Sequence, residues 1–283
     1  MKHRLGTLAC IAAILGCGSS STPVAGVEPL DPKKPHYGKT YAEWAAAWVE
    51  WVYQWPEGAA ASDGGVTAGD GGATADDGGA TAGDGGATTG DGGATAGDGG
   101  PPPGCVDPVA DTTGALCAFA QDPNSPVFFL AGDWGGVVRR ASCVVPAGKA
   151  LFLPVFVGSF QDNGGVPLTM QKTDPQLMTS AATELQPVSQ VLFSVDGHSV
   201  SLQPYAVVAT PYQYVLPPEP NIFTCQGSPG VTGTYSGYTS GYFVLLPPLA
   251  PGPHTIAFSA KVDMTPTSAA FALDVRYDPL TVR

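Results

Sequence analysis

Apolar residues are distributed in three different ways along this chain. Residues 5–15 form an eleven-position apolar stretch behind Lys2 and Arg4. As a helix it would reach only ~16 Å, against ~30 Å for a hydrocarbon core, so it predicts a signal-peptide segment and not a membrane span. From Tyr41 to Trp55 the period becomes helical. Trp44, Trp48, Trp51 and Trp55 fall at i, i+4, i+7 and i+11, which places four of the five tryptophans on one face, with Tyr37 and Tyr41 near its start. Glu43, Glu50 and Gln54 fall largely outside that stripe, Thr40 and Glu43 have capping-box spacing, and Pro56 closes the helix.

From residue 105 onward short apolar runs alternate with Gly and Pro. Strands are predicted at 127–131, 137–145, 149–157, 190–195, 199–203, 206–210, 241–246, 254–262 and 269–277. Asp196-Gly197 is a hairpin signal, and 173–185 reads as a short helix. The expected fold is all-β: an antiparallel β-sandwich over 105–283 carrying one packed amphipathic Trp-rich helix within 36–57.

Between these parts, residues 58–104 contain no bulky apolar residue beyond one Val. Asp-Gly-Gly opens six units at a spacing of seven. Such a stretch cannot bury a core and predicts a disordered acidic loop. Calcium is the tempting alternative. The calcium β-roll repeat, however, has nine residues and a large aliphatic in each turn, and this one has neither. No cofactor is expected.

Charge narrows the partners. The net charge is −12, becoming −14 once Lys2 and Arg4 leave with residues 1–16; seven acidic groups lie in the repeats, so the folded part carries about −7. Nucleic acid is not an expected partner. Ile14-Leu15-Gly16-Cys17 resembles a bacterial lipobox, which makes Cys17 the lipidated residue and 17–35 a tether. Gly18 in place of Asp points to the outer membrane. Of six cysteines, Cys10 leaves with the signal segment and Cys17 takes the lipid. Cys105, Cys117, Cys143 and Cys225 remain for two disulfides with three connectivities. Cys117 and Cys143 flank the Phe128 strand, which makes their pairing, with Cys105–Cys225 as the second bridge, one candidate.

Two segments resemble a family of exported bacterial proteins of unassigned function. The first is Tyr37-Gly38-Lys39-Thr40-Tyr41-Ala42-Glu43-Trp44 with Trp51 and Trp55-Pro56. The second runs from Asp111-Thr112-Thr113-Gly114 through Cys117, Gln121 and Phe128–Gly132 to Arg140, Cys143 and Val145–Lys149. Pro251–Ile256 is similar too. The resemblance implies export and a Trp helix closely followed by the Asp-Thr-Gly segment; it implies no reaction or ligand. Here the repeats intervene, which makes them a loop insertion within one fold.

Candidate chemistry is sparse. The Trp stripe suits docking on the sheets better than an open sugar platform, because an exposed stripe of this size invites aggregation. Trp134, in Gly-Asp-Trp-Gly-Gly, and Tyr238 are the candidate ligand-contact aromatics. A face bearing Tyr205, Tyr212, Tyr214, Tyr235, Tyr238 and Tyr242 would serve a binding role. The carboxylates Glu43, Glu50, Asp111, Asp122, Asp133 and Asp162 contain no pair singled out by spacing, and Asp122 and Asp162 suit turns. Arg140 is expected to pair with Glu43 or Glu50. His36, His198 and His254 lie in no catalytic motif. The expected function is a non-catalytic binding or structural role at the cell envelope, with a glycan or envelope protein as partner. The alternative is a secreted hydrolase of polysaccharide or peptide.

Overall fold

A computed structural model describes residues 26–54, 107–183, 185, 188–225, 228, 230–263 and 270–283. The signal segment, Cys17, Trp55, the 58–104 repeats and Cys105 lie outside these residues, and with Cys105 the expected Cys105–Cys225 bridge.

Helix α1 spans Tyr41–Tyr53 and starts as the sequence predicts. Thr40 is its N-cap in an extended conformation. Glu43 N–H donates to Thr40 Oγ1 at 3.2 Å, and Thr40 N–H donates back to Glu43 Oε2 at 2.7 Å. Among the described residues ten strands follow, in two sheets. They are β1 (Val127–Phe129), β2 (Gly136–Arg140), β3 (Val144–Val145), β4 (Ala150–Asp162), β5 (Val188–Val195), β6 (His198–Val200), β7 (Ala206–Leu216), β8 (Gly233–Leu246), β9 (Gly252–Val262) and β10 (Phe271–Val282). Helix α2 (Asp174–Thr183) lies between β4 and β5, and the short α3 (Ile222–Cys225) between β7 and β8.

The first sheet has the order β1-β4-β8-β7. The second runs β2-β10-β9-β5-β6, with β3 also beside β10. Both sheets are mixed, which corrects the expectation of a wholly antiparallel fold. β1 runs parallel to β4, and β2 and β3 run parallel to β10. Only sequential hairpins must be antiparallel; a chain that leaves one sheet and returns to another meets its neighbour in either sense. β2 and β3 were expected as one strand. The amides of Ala141 and Ser142 both donate to Thr113 O, at 2.9 and 3.0 Å, and these bonds interrupt the ladder. The β5–β6 hairpin turns on Asp196 and Gly197 at φ 49° and 78°, the left-handed pair that such a turn requires.

β4 is buried on both faces. Phe152 meets α1, with ring centroids 6.2 Å from Tyr41 and 6.4 Å from Trp44, and stacks on Phe243 at 5.6 Å. Alternate residues Leu151, Leu153 and Val155 are fully buried, and β4 also touches β5 and β9 of the second sheet. One core thus includes side chains of α1 and both sheets.

Within the expected tether, Val27 and Leu30 pack against the core, while Asp31, Lys33, Lys34 and Pro35 are exposed. Leu30 N–H donates to Leu245 O at 2.8 Å, and Tyr41 Oη donates to Leu30 O at 2.6 Å. β7 pairs with β8 only as far as Tyr242, so the backbone beyond it has room for a partner, which Leu30 supplies. The six tyrosines that would mark a binding face do not form an exposed one. Tyr205, Tyr212 and Tyr214 are buried, the last under Tyr53 at 4.0 Å. The stretch 233–242 is part of the single strand β8. Among the described residues no helix is long and apolar enough to cross a membrane.

Candidate ligand groove

Residues 107–126 contain no strand or α-helix, yet the stretch from Ala120 to Pro126 forms one wall of a groove beside α1. Three devices fix them in place of regular structure. The first is Arg140, 1% exposed. Its Nε donates to Asp111 O at 2.6 Å, Nη2 to Val109 O at 2.7 Å, and Nη1 to Ala131 O and Tyr277 Oη at 3.0 and 2.9 Å. Its ionic partner is Asp133 at 3.7 Å, not Glu43 or Glu50 as expected. Glu43 is already bound in the capping box. Burial pushes the Asp133 carboxyl up, against the pull of Gly135 N–H and the Arg140 charge. The second device is the disulfide Cys117–Cys143. The third is Gln121, whose Nε2 donates to Cys117 O and Phe129 O while its Oε1 accepts from Phe129 N–H at 3.0 Å. Gly114 has φ 83°, and a Cβ there would lie 2.9 Å from Arg140 Cβ, so the wall passes too close for any side chain.

The wall and α1 enclose an open groove of about 450 Å³, within the ~300–1,000 Å³ usual for small-ligand sites. Its apolar lining includes Trp44, Ala47, Trp51, Val127 and Phe129; its polar lining includes Lys39, Glu50, Gln54, Asp122 and Asn124. Two of the four non-glycine residues with positive φ among the described residues, Tyr37 at 52° and Ala120 at 50°, also line it. Such backbone is uncommon outside Gly and clusters at ligand sites. The Lys39 ammonium sits over the Trp44 ring, 5.0 Å from its centroid. Burial raises the Glu50 carboxyl, with Lys39 and the Gln213 amide opposing. Asp122 Oδ1 accepts from Asn124 N–H at 2.8 Å.

The indole N–H groups of the stripe point to backbone. Trp44 donates to His36 O at 2.9 Å, Trp48 to Leu130 O at 2.9 Å and Trp51 to Phe119 O at 3.3 Å. All three rings are buried. The helix therefore docks through its stripe, while Trp44 and Trp51 still reach the groove floor.

The remaining candidates lie elsewhere. Trp134 is 42% exposed and donates its indole N–H to Asp107 Oδ2 at 3.1 Å, outside the groove lining. Tyr238 lies half-buried on β8, opposite Gln161 and Pro211. Asp111 caps the turn at 113–116: burial pushes its carboxyl up, but bonds from Thr113 and Leu116 outweigh it and hold the group low. Asp162 accepts from Tyr212 Oη at 2.6 Å and Gly164 N–H at 2.7 Å, and burial raises it. The buried Tyr214 hydroxyl also acts on this carboxyl, pulling against the effect of burial. His198 lies 2.7 Å from Glu28 and His254 2.8 Å from Asp196. Among the described residues no three His, Cys, Asp or Glu side chains are placed to hold a metal ion.

Sequence reasoning missed the groove because its wall is irregular. Glu50 and Gln121 were visible as residues; their meeting depends on a crossing that no local pattern encodes. No family model matches the chain, and neither a curated protein nor a solved structure is significantly similar to it.

Proposed function

We propose that this chain is a non-catalytic glycan-binding protein of the cell envelope. In this reading it is held at the outer membrane by a lipid on Cys17, and α1 with residues 119–129 forms its binding groove. The observation that carries the reading is the groove itself. Aromatic and aliphatic side chains line it together with several hydrogen-bonding ones, and two left-handed non-glycine residues are among the lining. Sugars present this combination of C–H faces and hydroxyls. The fold is read as a sandwich of the two sheets with α1 as a third layer, and the chain as a member of the exported Trp-helix family it resembles.

One observation favours a second reading, hydrolysis. Glu50 and Asp122 line the same groove, and burial raises the Glu50 carboxyl, the direction a general acid needs. Titration of neutral and amino-sugar oligosaccharides into the mature chain tests both. Saturable binding without product release, weakened by Glu50→Gln and Tyr37→Ala, supports the binding role. Turnover that Glu50→Gln abolishes moves the assignment to a hydrolase. Absence of binding to every sugar overturns the reading. Loss of acyl labelling in Cys17→Ser tests the anchor.

A further inference from the structure

The groove already holds one cation, and the chain itself supplies it. Lys39 is an exposed residue whose ammonium rests on the Trp44 ring at 5.0 Å. An aromatic face in a ligand groove is a cation-recognition element. Here it is covered by a long, flexible side chain that can swing away into water at little cost.

Lys39 is the one cation of the lining, against two carboxylates, Glu50 and Asp122; beside the lining, the Lys149 ammonium is engaged by Pro123 O and Ser125 O. Glu50 already feels the Lys39 charge and the Gln213 backbone amide, and a ligand ammonium would take the place of that charge. Asp122 Oδ1 accepts from Asn124 N–H at 2.8 Å, which fixes the carboxylate at the groove wall. Glu50 is partly desolvated, and a ligand cation would restore what burial removes. A site of this kind draws cations, accepts neutral sugars weakly and rejects anions.

We propose that the groove selects glycans carrying a free primary ammonium over their N-acetylated counterparts, the ammonium displacing Lys39 from Trp44 and facing Glu50 and Asp122. The inference rests on the glycan-binding reading above. Ala47, Trp51 and Phe129 supply the apolar wall for the C–H face of the amino sugar.

The test is calorimetric titration of the mature chain at pH 6 with a glucosamine tetramer and with an N-acetylglucosamine tetramer. The free amine is expected to bind at least tenfold more tightly. Glu50→Gln should remove most of that difference, and raised salt should weaken the amine alone. Lys39→Met should tighten it severalfold, because the competing cation is gone. This second variant lies on an exposed side chain and keeps the test independent of any folding defect in Glu50→Gln. Equal affinity for both sugars, or preference for the N-acetylated one, overturns the ammonium selection and leaves the groove reading standing. Binding of neither tetramer overturns this selection; the wider sugar titration then decides the groove reading.

Discussion

Arg140 and Tyr277 converge on one carbonyl. The guanidinium Nη1 and the phenol Oη both donate to Ala131 O, at 3.0 and 2.8 Å, and Nη1 also donates to the phenol oxygen. Both side chains are essentially unexposed. Arg140→Met would leave the Asp133 carboxylate without its cation and three carbonyls short of a donor. The expected loss is about 3–5 kcal/mol of unfolding free energy. Tyr277→Phe removes one buried donor and should cost about 1–3 kcal/mol. Urea unfolding of each variant measures this, and a near-neutral Arg140→Met would show that the wall is held by other means.

The disulfide ties the same wall from its other side. Cys117 and Cys143 are 26 residues apart, so chain entropy predicts about 3.5 kcal/mol lost on Cys117→Ser with Cys143→Ser. Thermal unfolding of the oxidised chain and the double variant gives the value. The groove should loosen as well, read as weaker ligand binding at a temperature where both chains are folded.

Shortening the repeats should leave the fold intact. Helix α1 and residues 107–126 pack in one core, so the 58–104 stretch closes a loop within it. Deleting 63–97 cuts that loop from roughly 52 to 17 residues and should stabilise by about 1 kcal/mol through loop closure entropy. A large loss of melting temperature would contradict its role as a tolerated insertion.

His254 makes stability depend on pH in a defined direction. Burial lowers its pKa, but the bonds to Asp196 and Ala250 O outweigh this and leave it raised. The folded chain therefore binds the proton more tightly than the unfolded chain. The contribution is complete below about pH 6.5 and disappears as pH rises through the folded value. Urea midpoints at pH 5.5 and pH 8.5 should differ less in Asp196→Asn than in the native chain.

Local signals in the sequence carried through to the fold where the physics is local. The Thr40–Glu43 box set the helix start, Asp196-Gly197 set the hairpin, and Cys117 and Cys143 formed a bridge. The failures are all long-range. Arg140 was assigned to the helix carboxylates, but the chain delivers Asp133 from only seven residues away, next to carbonyls that nothing in the pattern marks. Leu30 looked like tether because its partner, Leu245, lies 215 positions downstream. Tyr212 and Tyr214 lie beyond the strand predicted at 206–210; in the fold they share one face of β7, and α1 packs against that strand. Glu50 lies outside the Trp stripe in sequence, and only the crossing of 119–129 turns it into a groove residue.

The central claim is that the groove beside α1 is where a ligand sits. Indole N–H resonances test it most directly, because Trp44 and Trp51 line the groove, Trp48 bonds Leu130 O in the core, and Trp134 stands outside. Nitrogen-15 spectra of the mature chain titrated with glucosamine tetramer should show saturable shifts for Trp44 and Trp51 alone. Shifts at Trp134 with the groove signals unmoved, or no shift at any indole, would contradict the account.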